Sequence, residues 1–193
     1  MSKRIFDLTV SSLLLLLFIW IIFIAWLVAS YETQSNGFFI QRRVGRYGKI
    51  FFIIKIKTMY PDNTGKRSSI STSSMSGITR SGRIMRRLKI DELPQLWNVL
   101  VGQMSFVGPR PDVPGYADKL RGNDRLVLQL RPGITGPASI KYKNEEDILS
   151  KVKNPKQYND EVIWPDKVRL NLDYYRTHSL KLDLHYIVKT ITG

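Results

Sequence analysis

The chain has no cysteine, which excludes disulfides and thiolate metal sites. It is poor in acid: 16 Asp and Glu stand against 30 Lys and Arg, a net charge of +14. Its two histidines, His178 and His185, are isolated and match no metal-ligand spacing. No Walker loop and no G-x-G-x-x-G occurs, so the usual glycine-rich phosphate cradles are excluded. Between residues 8 and 31 there is no charge, no glycine and no proline. A turn inside that stretch would strand backbone groups in hydrocarbon.

Aromatic residues are 11% of the chain, too many for a disordered basic tail, and 193 residues are enough for one domain with its own core. The charge favours an anionic partner: lipid headgroups, nucleic acid or phosphorylated small molecules. Leu13 to Val28 is almost wholly apolar and carries Trp20 and Trp26, and spanning a bilayer takes ~20 such residues. Lys3 and Arg4 precede this run, and Arg42, Arg43, Arg46 and Lys49 follow it. Cations on both sides favour both ends on the cytoplasmic face, as a re-entrant or interfacial segment, while the unbroken run leaves a straight span with a very short outer tail equally open. The chain thus divides into a membrane segment, 1–34, and a basic domain, 35–193.

Phe38-Phe39-Ile40 and Ile50-Phe51-Phe52-Ile53-Ile54 flank a basic, glycine-containing segment and predict a β-hairpin. Residues 60–82, rich in Ser, Thr and Gly, predict a mobile loop. Ile84 to Leu100 predicts a basic segment feeding a helix, with Pro94 in its first turn. Arg131 to Pro137 predicts turns, 144–176 mixed helix, and Leu184, Ile187, Val188 and Ile191 an amphipathic C-terminal helix at the membrane interface. The fold class is therefore α+β and helix-dominated.

The chemistry concentrates at Asp91-Glu92, directly behind Arg86, Arg87 and Lys89. Adjacent residues on a helix do not face each other, so these two carboxylates have separate tasks. A helix N-terminus favours an ionised carboxylate and binds phosphate. An ionised Asp can attack phosphorus or hold magnesium. Isolated Asp-Glu pairs mostly just complement a helix dipole; the surrounding cations, and Gly108-Pro109-Arg110-Pro111 downstream, favour a phosphoryl-transfer site. Lys55, Lys57, Arg86, Arg110 and Arg131 each lie beside a turn or this segment, and Arg in particular makes bidentate contacts with phosphate.

Nearly end to end, the chain resembles the small monotopic phosphoglycosyl transferases among the bacterial sugar transferases. The resemblance is carried by Lys3-Arg4-Ile5-Phe6-Asp7, Gln41 to Arg46, Lys57-Thr58-Met59, Thr79 to Arg83, Asp91 to Leu96, Asn98-Val99-Leu100, Val107 to Pro111, Arg131 to Gly136 and Leu182-Asp183-Leu184. It implies transfer of a sugar-1-phosphate from a UDP-sugar to polyprenyl (undecaprenyl) phosphate, with release of UMP, as the first membrane step of bacterial glycan assembly. It further implies a covalent phosphosugar-aspartate on Asp91, with Mg2+ as cofactor contacting Asp91. Glu92 would support metal or proton handling, and Lys57, Arg86, Arg110 and Arg131 would contact phosphate and uridine. The place is the cytoplasmic face of the bacterial inner membrane, with membrane lipid and no nucleic acid as partner; the oligomeric state stays open between monomer and homodimer. In one departure, Ile19-Trp20 stands where the family has a helix-breaking Ser-Pro. The competing reading is a non-enzymatic, membrane-anchored basic module for nucleic acid or anionic lipid.

Overall fold

With neither glycine nor proline to interrupt it, the apolar run forms one unbroken helix. The computed structural model describes residues 2–61 and 77–193, and α1 occupies Ser2–Thr33. At ~1.5 Å per residue it is ~48 Å long. Only 11% of its most apolar window is buried, unlike the core helix of a soluble protein. What is buried follows a helical stripe: Asp7, Ser11, Ala25, Ala29 and Thr33. Phe6, Val10, Leu14 and Leu15 pack on the main core, and Ile22 and Trp26 on a second cluster. The opposite face, with Leu13, Leu16, Leu17, Ile19, Trp20 and Phe23, is more than half exposed.

Both ends of α1 are fastened to the same body. Near its start, Lys3 donates to the Val107 carbonyl at 3.1 Å and pairs with Asp183. Arg4 donates to the carbonyls of Val99 and Leu100, each at 2.7 Å, and Asp7 accepts from Ser105 Oγ and the Phe106 amide. At its end, Glu32 accepts from the Ser81 amide at 3.2 Å. Ser30 Oγ accepts from the Gly37 amide at 2.9 Å. Gly37 lets the chain double back: a Cβ there would strike the Trp26 carbonyl. Both attachments are made with no turn within the run. The division at residue 34 is one of composition, since α1 shares its core with the rest.

Strands β1 (Phe38–Val44) and β2 (Ile50–Ile56) form the expected hairpin, antiparallel from Phe38↔Ile56 to Val44↔Ile50. Tyr47 and Gly48, both in the left-handed region, turn the chain between them. The expected loop at 60–82 lies largely outside the described residues, but its end is helical. Helix α2 (Arg80–Arg87) is capped by Thr79, whose Oγ1 accepts from the Gly82 amide at 2.9 Å. A 3-10 turn, Ile90–Glu92, and helix α3 (Gln95–Leu100) follow. Asn98 locks α3 to the free edge of β2: its Nδ2 donates to the Phe52 carbonyl at 2.8 Å and its Oδ1 accepts from the Ile54 amide at 3.3 Å.

The expectation of turns alone at 131–137 is corrected. Gly133–Thr135 is a strand, β4, paired in parallel with β3 (Ser105–Val107). Gly108 permits the close approach, because a Cβ there would meet the Arg131 carbonyl. The main core is made by β2, α3, β3 and Tyr174: Phe51, Ile53, Leu96, Val99, Met104, Phe106, Val107 and Tyr174. Short helices α4 (Pro137–Lys141), α5 (Glu145–Ser150) and α6 (Pro155–Tyr158) lead through a π-helical turn, Asn159–Ile163, to α7 (Trp164–Thr177). The expected amphipathic C-terminal helix is α8 (Leu180–Thr192), with Leu184, Val188 and Ile191 exposed.

Asp183 is 1% exposed and accepts from both Lys3 and the Tyr174 hydroxyl. Tyr174→Phe removes a donor from this buried carboxylate and is expected to cost about 1–3 kcal/mol, read as a lower thermal unfolding midpoint in detergent. An unchanged midpoint would show that the hydroxyl contributes nothing.

Candidate active site

Asp91 and Glu92 sit in the 3-10 turn before α3, with Pro94 at the cap position of that helix. The pair stands at the N-terminal side of α3, which has only six residues, so its dipole is small. Side-chain cations do the work instead. Glu92 Oε1 accepts from Lys55 Nζ at 2.6 Å and from Arg110 Nη2 at 3.3 Å. Burial pushes the Glu92 carboxyl up, but Arg110 and then Lys55 outweigh it and hold it at about 2. Burial lowers the Lys55 ammonium, opposed by Glu92.

Asp91, one residue away, has the opposite character. It is 9% exposed, and its Oδ1 has no hydrogen-bond partner. Burial, and next the charge of Glu92, raise its carboxyl above the ordinary range, against Lys55, Lys89 and Arg86. The turn therefore presents one neutralised carboxylate and one unsatisfied carboxylate. Among the described residues, no cluster of three His, Cys, Asp or Glu could hold a metal. Asp91 Oδ1 still fits a magnesium ion, which is commonly bound through one or two carboxylates plus substrate phosphates.

A profile described as bacterial sugar transferase matches residues 1–193. The chain belongs to that family. This bacterial sugar transferase is 35% identical over 202 residues to the undecaprenyl-phosphate glucose phosphotransferase of Komagataeibacter xylinus, matching 99% of this chain and 35% of that protein. It is 34% identical to the uncharacterized sugar transferase EpsL of Bacillus subtilis (strain 168), over 98% of this chain and 85% of the relative. It is 32% identical to the UDP-glucose:undecaprenyl-phosphate glucose-1-phosphate transferase of Caulobacter vibrioides, over 99% of this chain and 68% of the relative. The chain thus spans about a third of the first of these relatives and most of the other two.

The remaining sequence candidates in the bacterial sugar transferase divide into two groups. Arg110 is on the dyad, and backbone bonds anchor the two residues before it: Gly108 N donates to the Thr135 carbonyl, and the Pro109 carbonyl accepts from Gly133 N. Arg86 donates its Nε to Thr58 Oγ1 at 2.8 Å, and its charge acts on Asp91. Lys57 is on the same hairpin face as Lys55, but its ammonium donates to Ser35 Oγ at 2.8 Å, in the turn after α1. Arg131 lies apart. Its Nε donates to the Gly102 carbonyl at 3.0 Å, and its electrostatic neighbours are Arg46, Arg4, Asp7 and Tyr47, so it braces the turn between α3 and β3.

Two further residues belong to the site. Arg43 donates to the Pro111 carbonyl at 3.0 Å and to Gln41 Oε1, and it interacts electrostatically with Arg110 and Glu92. Strand alternation could have found it, since it lies four register pairs from Lys55, an even number that keeps both on one face. Thr58 orients Arg86; its place between Lys57 and Met59 in a family motif was the signal.

Lys55 and Glu92 have side chains only 18% and 14% exposed. Removing one partner of a buried pair strands the other and costs roughly 3–5 kcal/mol. Glu92→Leu and Lys55→Met are each expected to destabilise by about that much, and the double variant to recover most of the loss. Chemical unfolding of all three decides it; simple additivity would mean that the pair is not coupled.

Proposed function

We propose that this protein transfers a sugar-1-phosphate from a UDP-sugar to polyprenyl phosphate through a covalent adduct on Asp91. The observation that carries the reading is the unsatisfied, buried Asp91 carboxylate beside a Glu92 already neutralised by Lys55 and Arg110, in a chain of the bacterial sugar transferase family. The names of the relatives, several of which act on undecaprenyl phosphate, support the acceptor. Those that also name UDP-glucose or a UDP-N-acetylhexosamine support a UDP-sugar donor.

In the first step an Asp91 oxygen attacks the sugar-bearing phosphorus. An oxygen–phosphorus bond forms, the bond from that phosphorus to the bridging oxygen breaks, and UMP departs with the electron pair. In the second step a polyprenyl-phosphate oxygen attacks the same phosphorus and the Asp91 carboxylate is regenerated. The phosphoryl group enters with negative charge, so cations aimed at it stabilise the transition state. Arg110 and Arg86 supply them, with Lys57 at the hairpin end. Asp91 would hold magnesium, which would supply neutralisation of charge on the diphosphate. Glu92 holds Lys55 and Arg110 in place rather than exchanging protons, because its carboxyl stays ionised down to about pH 2.

The same reading places α1 in the cytoplasmic leaflet of the inner membrane, with its exposed face in lipid and both ends on the cytoplasmic side. The two-ended attachment of α1 supports this monotopic arrangement. A non-enzymatic basic membrane module does not account for a buried carboxylate oxygen without a hydrogen-bond partner.

Asp91→Asn keeps the shape and removes the nucleophilic charge. It is expected to abolish both turnover and the burst of UMP, near one per enzyme, that the native protein gives with UDP-sugar and magnesium but no acceptor. Near-native turnover by this variant would establish direct transfer instead. Arg110→Ala should keep the burst but lower kcat/KM roughly 10–200-fold, the cost of one charge-assisted contact.

The pH dependence follows from the raised Asp91 carboxyl. The attacking form is the ionised one, so the rate rises with pH through the Asp91 pKa, and the acid limb of kcat/KM should lie above the ordinary Asp value of ~3.9. Glu92→Gln removes the negative neighbour that raises Asp91 and should shift the limb to lower pH, whatever it does to the maximum. A limb that stays in place or moves up would remove Asp91 as the titrating group.

A further inference from the structure

The hairpin has two faces of contrasting chemistry. Register pairs Arg43↔Phe51, Gln41↔Ile53 and Phe39↔Lys55 share the face that carries the site. The other face is formed by Phe38↔Ile56, Ile40↔Ile54, Arg42↔Phe52 and Val44↔Ile50. On it Ile40 is 59% exposed, Phe52 55% and Ile50 41%. Val44 and Ile56, at the two ends of this face, are buried; between them these large apolar side chains stand exposed.

That face continues the outer surface of α1. Phe23, exposed on α1, stacks on Trp26 at 6.0 Å, and Trp26 stacks on Phe38 at 6.1 Å. Phe38 is the first residue of the exposed face, and Ile40 stands two residues further along it. Ile56, opposite Phe38, is buried against Ala25 and Ala29. One apolar surface therefore runs from α1, through three stacked rings, onto the hairpin.

The margin of the patch is basic and aromatic. Arg42 and Lys49 are exposed. At the tip, Tyr47 is 57% exposed and lies under the Arg46 guanidinium at 4.6 Å. Cations and tyrosine around an apolar patch suit the headgroup layer of an anionic bilayer.

The geometry points to the β1–β2 hairpin as a second membrane-contact element, with Ile40, Ile50 and Phe52 against lipid and Arg42, Lys49 and Tyr47 at headgroup depth. The inference rests on the proposed placement of α1 in the membrane. Because side chains alternate along β2, it sets Ile54 toward lipid and its neighbour Lys55 toward Glu92. One strand then separates the bilayer from the site, and a membrane-borne acceptor phosphate has only the hairpin to pass.

The absence of native cysteine makes the test direct. Ile40→Cys and Phe52→Cys, each carrying a nitrobenzoxadiazole fluorophore, are compared in nanodiscs with and without spin-labelled phospholipid. Leu16→Cys on the outer face of α1 and Lys156→Cys on exposed α6 are the references, and native-level UMP release confirms folding. Fluorescence at positions 40 and 52 should fall at least half as much as at 16, and several times more than at 156. If 40 and 52 behave like 156 while 16 is quenched, the hairpin is not a lipid contact; disulfide cross-linking of unlabelled Ile40→Cys between copies would then identify a second copy as the cover. If 16 is not quenched either, the inference falls together with the placement of α1.

Discussion

Everything else in this molecule is arranged around a helix that is held at both ends and wetted by the protein on one side only. Lys3, Arg4 and Asp7 fix its start to α3, β3 and α8, while Ser30 and Glu32 fix its end to the hairpin and α2. Arg4 also occupies the carbonyls at the C-terminus of α3, where a cation complements the helix end. The helix that carries the apolar surface therefore also sets the position of the helix behind the dyad.

The dyad shows how neighbours in sequence acquire different chemistry. Glu92 points at Lys55 and Arg110 and keeps its charge through burial; Asp91 is buried with weaker compensation and is pushed the other way. Buried ion pairs seldom add much stability over a hydrophobic replacement, so stability alone is a poor reason to have one here. Their value lies in preorganisation, because cations fixed before the substrate arrives need not reorganise during the reaction.

Elements governed by local pattern were legible in the sequence: the apolar helix, the hairpin with its basic turn, and α8, whose Leu184, Val188 and Ile191 keep helical spacing. The β3–β4 pair was not, because its two three-residue strands lie 25 residues apart and owe their pairing to close backbone approach at Gly108 and Gly133. Asp91, Glu92 and Arg110 could be picked out as candidates because charge was concentrated around a rigid Gly-Pro-Arg-Pro. Arg131 shows where such reasoning stops: an arginine beside a turn looks the same in sequence whether it faces a ligand or a carbonyl, and here it faces Gly102. Arg43 needed the strand register, which fixes the face a residue occupies.

Asn98 ties these levels together. Its single amide reads the backbone of β2 on both sides of Ile53, donating to Phe52 and accepting from Ile54, while its own helix begins just after the dyad. Lys55 is the next residue on that strand. The spacing between the carboxylates and the lysine is thus gauged by one side chain against a strand edge. Solvent exchange of the Ile54 amide proton therefore becomes a spectator of the site: it speeds up only when α3 lifts from β2, the same opening that would part Glu92 from Lys55.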